Sequence, residues 1–370
     1  MLKRIFSLIA LCVCLFQGVV HAQAPKYSNE FLNLGVGGRG LGMGNSVVAS
    51  TDDVFSGYWN PAGMVRMEDD FQISYMHSEY FAGIAKYDYA GFAMKIDSLS
   101  TVGLTFIRFG VDDIPNTTQL IDANGQIDYD RITSFSAADY AFLLTYSRRL
   151  PGVEGFTYGA NAKVVYRKVG DFAHAWGFGL DVGAQYHFKK WKFAIMGRDL
   201  TSTFNAWDFT LDEETKAVWE QTGNEIPDNS LEVTLPKLLV GIGYKFELPK
   251  KFSIYPELNM DLTFDGKRSV LLPGDPISLD PHIGIEVSYS SWVHVRGGFG
   301  NIQEHTNDID GNKIYTWQPN IGVGFTAPAF KLGSIGIRGL SIDYAFTDIG
   351  DQSVALFSHV FSLNFGFGKM

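Results

Sequence analysis

From Phe71 onward, apolar and polar residues alternate with a period of two. In the segment 176–188, Trp176, Phe178, Leu180, Val182, Ala184, Tyr186 and Phe188 share one face, while Gly177, Gly179, Asp181, Gly183, Gln185 and His187 share the other. The segment 156–167 repeats the pattern, with Phe156, Tyr158, Ala160, Ala162, Val164 and Tyr166 set against Thr157, Gly159, Asn161, Lys163, Val165 and Arg167. Near the C-terminus, Phe357, Phe361, Leu363, Phe365 and Phe367 alternate with Ser358, Ser362, Asn364, Gly366 and Gly368. Helical spacing fits none of these runs; successive side chains on opposite faces predict strands.

Fourteen such strands are expected, near 71–81, 84–96, 101–111, 138–149, 156–167, 176–188, 191–200, 235–247, 252–264, 281–290, 292–300, 317–327, 335–346 and 354–367. Most reach the ~9–11 residues that a tilted strand needs to cross a bilayer, and an even count suits a bacterial barrel. The links alternate in length. Those at 97–100, 150–155, 189–190, 248–251 and 291 are tight; those at 112–137, 168–175, 201–234, 265–280, 301–316 and 347–353 are long. The first link, 82–83, breaks the rule. One rim therefore carries turns and the other loops, as in outer-membrane barrels.

The faces indicate lipid outside. Trp176, Trp191, Tyr244, Phe246, Tyr289, Trp292, Trp317 and Phe346 fall near strand ends, where aromatic rings suit the two bilayer interfaces. The opposite face carries Lys163, Arg167, Asp181, His187, Arg198, Lys237, Lys245, Glu257, Asp261, Glu286, Arg296 and Asp343. Charges at that density require a wet or plugged lumen. The expected fold class is all-β, a 14-stranded antiparallel transmembrane β-barrel, with outer-membrane lipid as its surroundings.

Composition sharpens this picture. Glycine accounts for 40 of 370 residues and aromatics for 14%, as suits a β-rich chain. A net charge of −10 argues against a nucleic-acid partner. No apolar tract of 18 residues follows the N-terminal region, which argues against spanning helices. Lys3 and Arg4, the apolar run 5–16 and Val20-His21-Ala22 read as a cleavable export signal over 1–22. Both cysteines, Cys12 and Cys14, lie within it, so thiol chemistry is not expected of the mature chain.

Residues 23–70 do not alternate. The stretch 39–64, RGLGMGNSVVASTDDVFSGYWNPAGM, is rich in glycine and small polar residues, and its glycines do not reproduce a dinucleotide fingerprint. This stretch resembles the N-terminal signature of the PorV/PorQ family, within the FadL-like outer-membrane barrels. Asn60-Pro61-Ala62-Gly63 is similar to the element that FadL-type proteins carry between hatch and barrel. The C-terminal LSIDYAFTDIGDQSVALFSHVFSLNFGF resembles that family's last hairpin.

The resemblance implies a 14-stranded barrel over 71–370 with the segment 23–70 folded into the lumen as a hatch. It singles out Arg39, Gly40, Gly42, Gly44, Asp52, Asp53, Asn60, Pro61, Ala62 and Gly63 as the hatch motif. It also implies an accessory or sorting role in type IX protein secretion, in contact with a translocon subunit or a secreted cargo. The long loops 112–137, 201–234 and 301–316 would be the contact surfaces, with Trp207 and Trp219 either as anchors for a partner or packed within the loop over the barrel mouth. The alternative is a FadL-like channel for small hydrophobic molecules.

No enzymatic constellation emerges. No two histidines stand in an HExxH or i,i+4 arrangement, so neither a zinc site nor any cofactor is expected. Ser358 and His359 are adjacent in an alternating run and point to opposite faces. The acidic stretches 122–130 and 307–313 carry fragments of a calcium loop but lack the closing glutamate; Asn124-Gly125 and Asp310-Gly311 read better as turns.

Overall fold

The computed structural model describes residues 28–120, 126–227, 230–306, 313–332, 335–347 and 358–368. The expected export signal with Cys12 and Cys14, residues 23–27, most of 307–313 and part of 122–130 lie outside the described residues.

The strand segments are β1 (Phe71–Tyr80), β2 (Ala85–Lys95), β3 (Ser100–Asn116), β4 (Thr133–Arg149), β5 (Phe156–Val169) and β6 (Ala173–Phe188). They continue as β7 (Trp191–Arg198), β8 (Thr203–Phe209), β9 (Ser230–Thr234), β10 (Lys237–Tyr244), β11 (Phe246–Glu247) and β12 (Phe252–Thr263). The last are β13 (Ser278–Tyr289), β14 (Val293–Thr306), β15 (Lys313–Ala327), β16 (Phe330–Leu332), β17 (Ile335–Thr347) and β18 (Ser358–Phe367). Every pairing is antiparallel, and β1 pairs with both β2 and β18, so the sheet closes. Closure leaves no unpaired edge in the hydrocarbon. The segments β7–β8, β9–β11 and β15–β16 are each one interrupted stave, which makes a closed barrel of fourteen staves.

Several limits differ from the sequence expectation. The β3–β4 hairpin extends to Asn116 and Thr133, and β5 and β6 leave only residues 170–172 between them. Beyond the lipid band a ladder continues to satisfy its backbone while the apolar-outward requirement lapses. The period-two signal therefore fades at Asp112 and Asp113 although the strand does not.

The wall has the expected polarity. Trp176, Phe178 and Leu180 are 46–48% exposed on the outside, whereas Asp181 and Gln185, on the inner face, are 1% exposed. A Lys or Arg facing lipid at the midplane costs ~2–4 kcal/mol, which enforces this alternation. Ring clusters mark both interfaces. Tyr140, Tyr166 and Trp176 pack together toward the loop rim; Trp191, Tyr244 and Phe246 do so toward the turn rim, with centroids 4.6–4.7 Å apart. The chain enters β1 and leaves β18 at the turn rim, where the Asp70 amide donates to the Phe367 carbonyl. Short turns place that rim on the periplasmic side.

Residues 28–70 fill the lumen with 3-10 turns at Glu30–Asn33 and Pro61–Arg66 and two short helices, α1 (Gly38–Gly42) and α2 (Ser56–Trp59). Val36, Met43, Val54 and Trp59 pack with the inward-facing Met76, Tyr89, Ile107 and Val165 to form the barrel's apolar core. The plug approaches the wall at backbone contact. A Cβ on Gly42 would lie 2.9 Å from Gly322 Cα, and Gly44, at φ 60, would place one 2.6 Å from the Phe299 nitrogen. Only glycine fits both positions.

Candidate functional site

The hatch motif meets the wall through an ionic cluster. In α1, Arg39 Nε donates to Glu286 Oε2 at 3.1 Å and Nη2 to Ser50 Oγ at 3.2 Å. Arg296 Nε donates to the same carboxylate at 2.7 Å, and its Nη1 to Asp343 Oδ1 at 2.5 Å. Nearby, Glu257 is held by the Ala49 amide at 2.7 Å and the Tyr255 hydroxyl at 3.0 Å. Gly40 lies against the Trp59 indole. Asp52 is exposed and 3.8 Å from Lys192. Asp53 Oδ1 accepts from the Phe55 amide at 2.9 Å. Burial, reinforced by Asp52, pushes the Asp53 carboxyl up to about 7.

The Asn60-Pro61-Ala62-Gly63 element turns the plug toward the periplasmic rim. Asn60 Oδ1 accepts from the Ala62 amide at 3.1 Å, capping the 3-10 turn that Pro61 opens, while Nδ2 donates to the carbonyls of Val48 at 3.3 Å and Ala184 at 3.4 Å. Gly63 packs beneath the Thr51 carbonyl. Gly159 and Gly183, on the inner face of β5 and β6, leave the space that Asn60 and Pro61 occupy. Inward glycines opposite a proline-asparagine element are the sequence signal for that contact. Arg66 closes the segment on Gln185 Oε1 at 2.9 Å; burial, then the neighbouring Arg149, pull its guanidinium down to about 10.

A second cluster belongs to the wall. Lys163 Nζ lies 3.1 Å from Asp181 Oδ1 and 2.5 Å from Asp199 Oδ1, with side chains 2–8% exposed. Asn161 bridges Asp181 at 3.2 Å and the plug carbonyl of Gly57 at 2.9 Å. Arg198 donates to the Tyr58 carbonyl at 2.9 Å and sits 4.7 Å over the Tyr58 ring. Asp199 escapes sequence reasoning because it follows β7 at φ 56, where alternation lapses.

The remaining expected lumen charges fall into separate pairs, with one exception. Arg167 Nε donates to Asp139 at 2.8 Å and Nη1 to Glu232 at 3.1 Å. Lys237 lies 3.7 Å from Asp261 and donates to Asn33 Oδ1 at 2.6 Å. Lys245 is a correction: it is exposed just after β10, where the stave leaves the barrel and its residues cease to alternate about the wall. Trp207 is also corrected. It is a β8 residue whose indole donates to Glu232 at 2.8 Å beneath the Arg167 guanidinium, so cross-strand pairing occupies the side chain assigned to a partner. Trp219 is half-buried on the helix α3 (Glu213–Gln221). Ser358 is buried inside, whereas the exposed His359 bonds the Tyr344 hydroxyl at 2.8 Å.

A cavity of about 490 Å³ remains on the loop side of the plug. Its apolar lining includes Leu34, Tyr58, Trp59, Tyr80 and Leu239; the polar lining includes Lys237, Asp261, Arg268 and His282. The cavity reaches Asp199, Leu235 and Pro236, where both staves of the wall are interrupted. Here Arg198 pairs with Lys237 and Thr203 with Thr234, so four residues oppose two. Pro236 has no amide to restore the ladder.

No family model matches the chain, and no curated relative matches it. Solved structures do. The CymD monoaromatic hydrocarbon channel aligns over 91% of this chain and 98% of its own, at 12% identity and a TM-score of 0.52. The Ralstonia pickettii toluene transporter TbuX aligns over 90% and 98%, at 14% identity and a TM-score of 0.53. The likeness is one of fold: the chain shares the barrel architecture of those two proteins. A Pseudomonas aeruginosa FadL homologue also aligns, over 90% of this chain and 98% of its own at 11% identity, with a TM-score of 0.47. CymD and TbuX are named as a channel and a transporter. At such identities the likeness establishes fold, and the exposed apolar exterior fits a barrel set in lipid.

Proposed function

We propose that this protein is an outer-membrane channel for small hydrophobic molecules. The observation that carries the reading is the cavity above the plug, whose lining runs from apolar plug residues to the interrupted wall at Asp199 and Pro236. A ligand held there contacts a part of the barrel where the ladder is interrupted. FadL-like neighbours named for monoaromatic hydrocarbons and toluene support the same class of cargo. In this reading residues 1–22 direct export, 23–70 form the hatch and 71–370 the channel wall. Organic extraction of the purified barrel, followed by mass spectrometry, tests it. A bound hydrophobic compound is expected, and Leu34→Trp, which fills the cavity, is expected to remove it. A barrel that carries no such compound, and cells that take it up equally without the protein, refute the reading.

The second reading is the accessory role in type IX secretion that the sequence resemblance implies. One observation favours it: the motif residues Arg39 and Asn60 are consumed in fixing the plug to the wall, which suits a rigid scaffold presenting its loops. A deletion strain that loses surface-attached proteins while hydrophobic uptake stays normal would select this reading over the channel. Mild-detergent purification would then bring a translocon subunit or cargo with it.

A further inference from the structure

The turns after β6 and after β10–β11 are neighbours, joined where the Lys245 amide donates to the Lys190 carbonyl at 2.9 Å. Together they expose Lys189, Lys190, Lys245, Lys250 and Lys251. The single carboxylate in these two turns, Glu247, is engaged by Lys190 at 3.0 Å. Three of the lysines occupy left-handed backbone: Lys189 at φ 55, Lys250 at φ 60 and Lys251 at φ 64. That region favours glycine or asparagine, and a side chain bearing a Cβ is strained there. Three exposed lysines at such positions concentrate positive charge at the tips of the two turns.

The rings beside these turns say what the charges face. Phe188 and Trp191 flank Lys189 and Lys190; Tyr244 and Phe246 flank Lys245; Phe252 follows Lys251. Trp191, Tyr244 and Phe246 form one edge-to-face cluster on the outer wall, and Lys189 Nζ lies 5.3 Å over the Phe188 ring. Aromatic belts sit at headgroup level, so the ammonium groups one residue beyond them stand among the phosphates.

We infer that this pair of turns binds the phosphate headgroup of an anionic phospholipid in the periplasmic leaflet. The ammonium groups supply charge to a phosphodiester, and the rings beneath them hold the glycerol and upper acyl chain. The site is separate from the lumen cavity and does not depend on what the barrel conducts.

Native mass spectrometry of the full-length barrel, titrated with phosphatidylglycerol or phosphatidylethanolamine, tests the assignment. Phosphatidylglycerol is expected to be retained preferentially. Each lysine near a membrane surface contributes about fivefold in affinity, so K250G/K251G should reduce that retention roughly 25-fold. The same variant should unfold at no lower a temperature than the parent, because glycine adopts left-handed backbone freely. K189Q/K245Q should show the same loss of lipid and keeps two of the strained positions unchanged. Equal retention of both lipids, or an unchanged preference in both variants, overturns the inference. Competition by millimolar inorganic phosphate would assign the turns to free phosphate, and stronger capture of polyglutamate would mark a protein-docking surface; either result overturns it as well.

Discussion

The two ionic clusters of the lumen are built on opposite plans. Lys163, Asp181, Asp199 and Arg198 all come from the wall, and their formal charges cancel. The plug lends that cluster no charge, only the carbonyl oxygens of Leu32, Gly57 and Tyr58 and the Tyr58 ring. Glu286, Arg296 and Asp343 also come from the wall, but their charges do not cancel until Arg39 of the plug enters. One side of the barrel is thus electrostatically finished without the plug, and the other is completed by it. The plug's seating is therefore read most directly at Arg39, whereas the integrity of the interrupted staves is read at Lys163.

The largest expected effect falls on the finished cluster. Lys163→Met leaves two buried carboxylates with Arg198 as their one remaining cation in the cluster, at a cost of about 3–5 kcal/mol. Urea unfolding of the barrel in detergent measures it, and a loss below about 1 kcal/mol would show that the cluster does not hold the wall. Arg39→Met should cost less, about 1.5–3 kcal/mol, because Arg296 still neutralises part of Glu286. Its distinguishing sign is protease cleavage within the plug while the wall stays intact. Adding Glu286→Gln should restore part of the loss, and a coupling of zero in that double-mutant cycle would separate Arg39 from the cluster.

Asn60→Ala tests the plug's neutral anchorage. Loss of the cap to the Ala62 amide should cost about 1 kcal/mol, seen as a small drop in the unfolding midpoint. The subtlest test uses pH. Asp53, raised to about 7 in the folded chain, favours the folded state most when protonated. Its contribution is complete below the ordinary carboxylate range and is lost as pH rises through about 7. Asp53→Asn should therefore gain stability relative to the parent between pH 5 and pH 8; parallel stability profiles would dismiss that linkage.

The number of staves, the direction most strand side chains face and the two rims were legible in the sequence, because the alternation repeats every two residues and the links alternate in length. Lipid on one side and a polar lumen on the other print that repeat residue by residue, as in the segment 176–188. Where the membrane stops enforcing it, as after Arg198 or at Asp112, the pattern lapses, and both Asp199 and the extended hairpins went unseen. Only the folded chain decides that Arg39 meets Glu286 across 247 positions, that Gly159 and Gly183 make room for Asn60, and that a cavity opens onto Pro236. Those contacts depend on how a closed ring of ladders is staggered and where the plug comes to rest inside it. No local period carries that information.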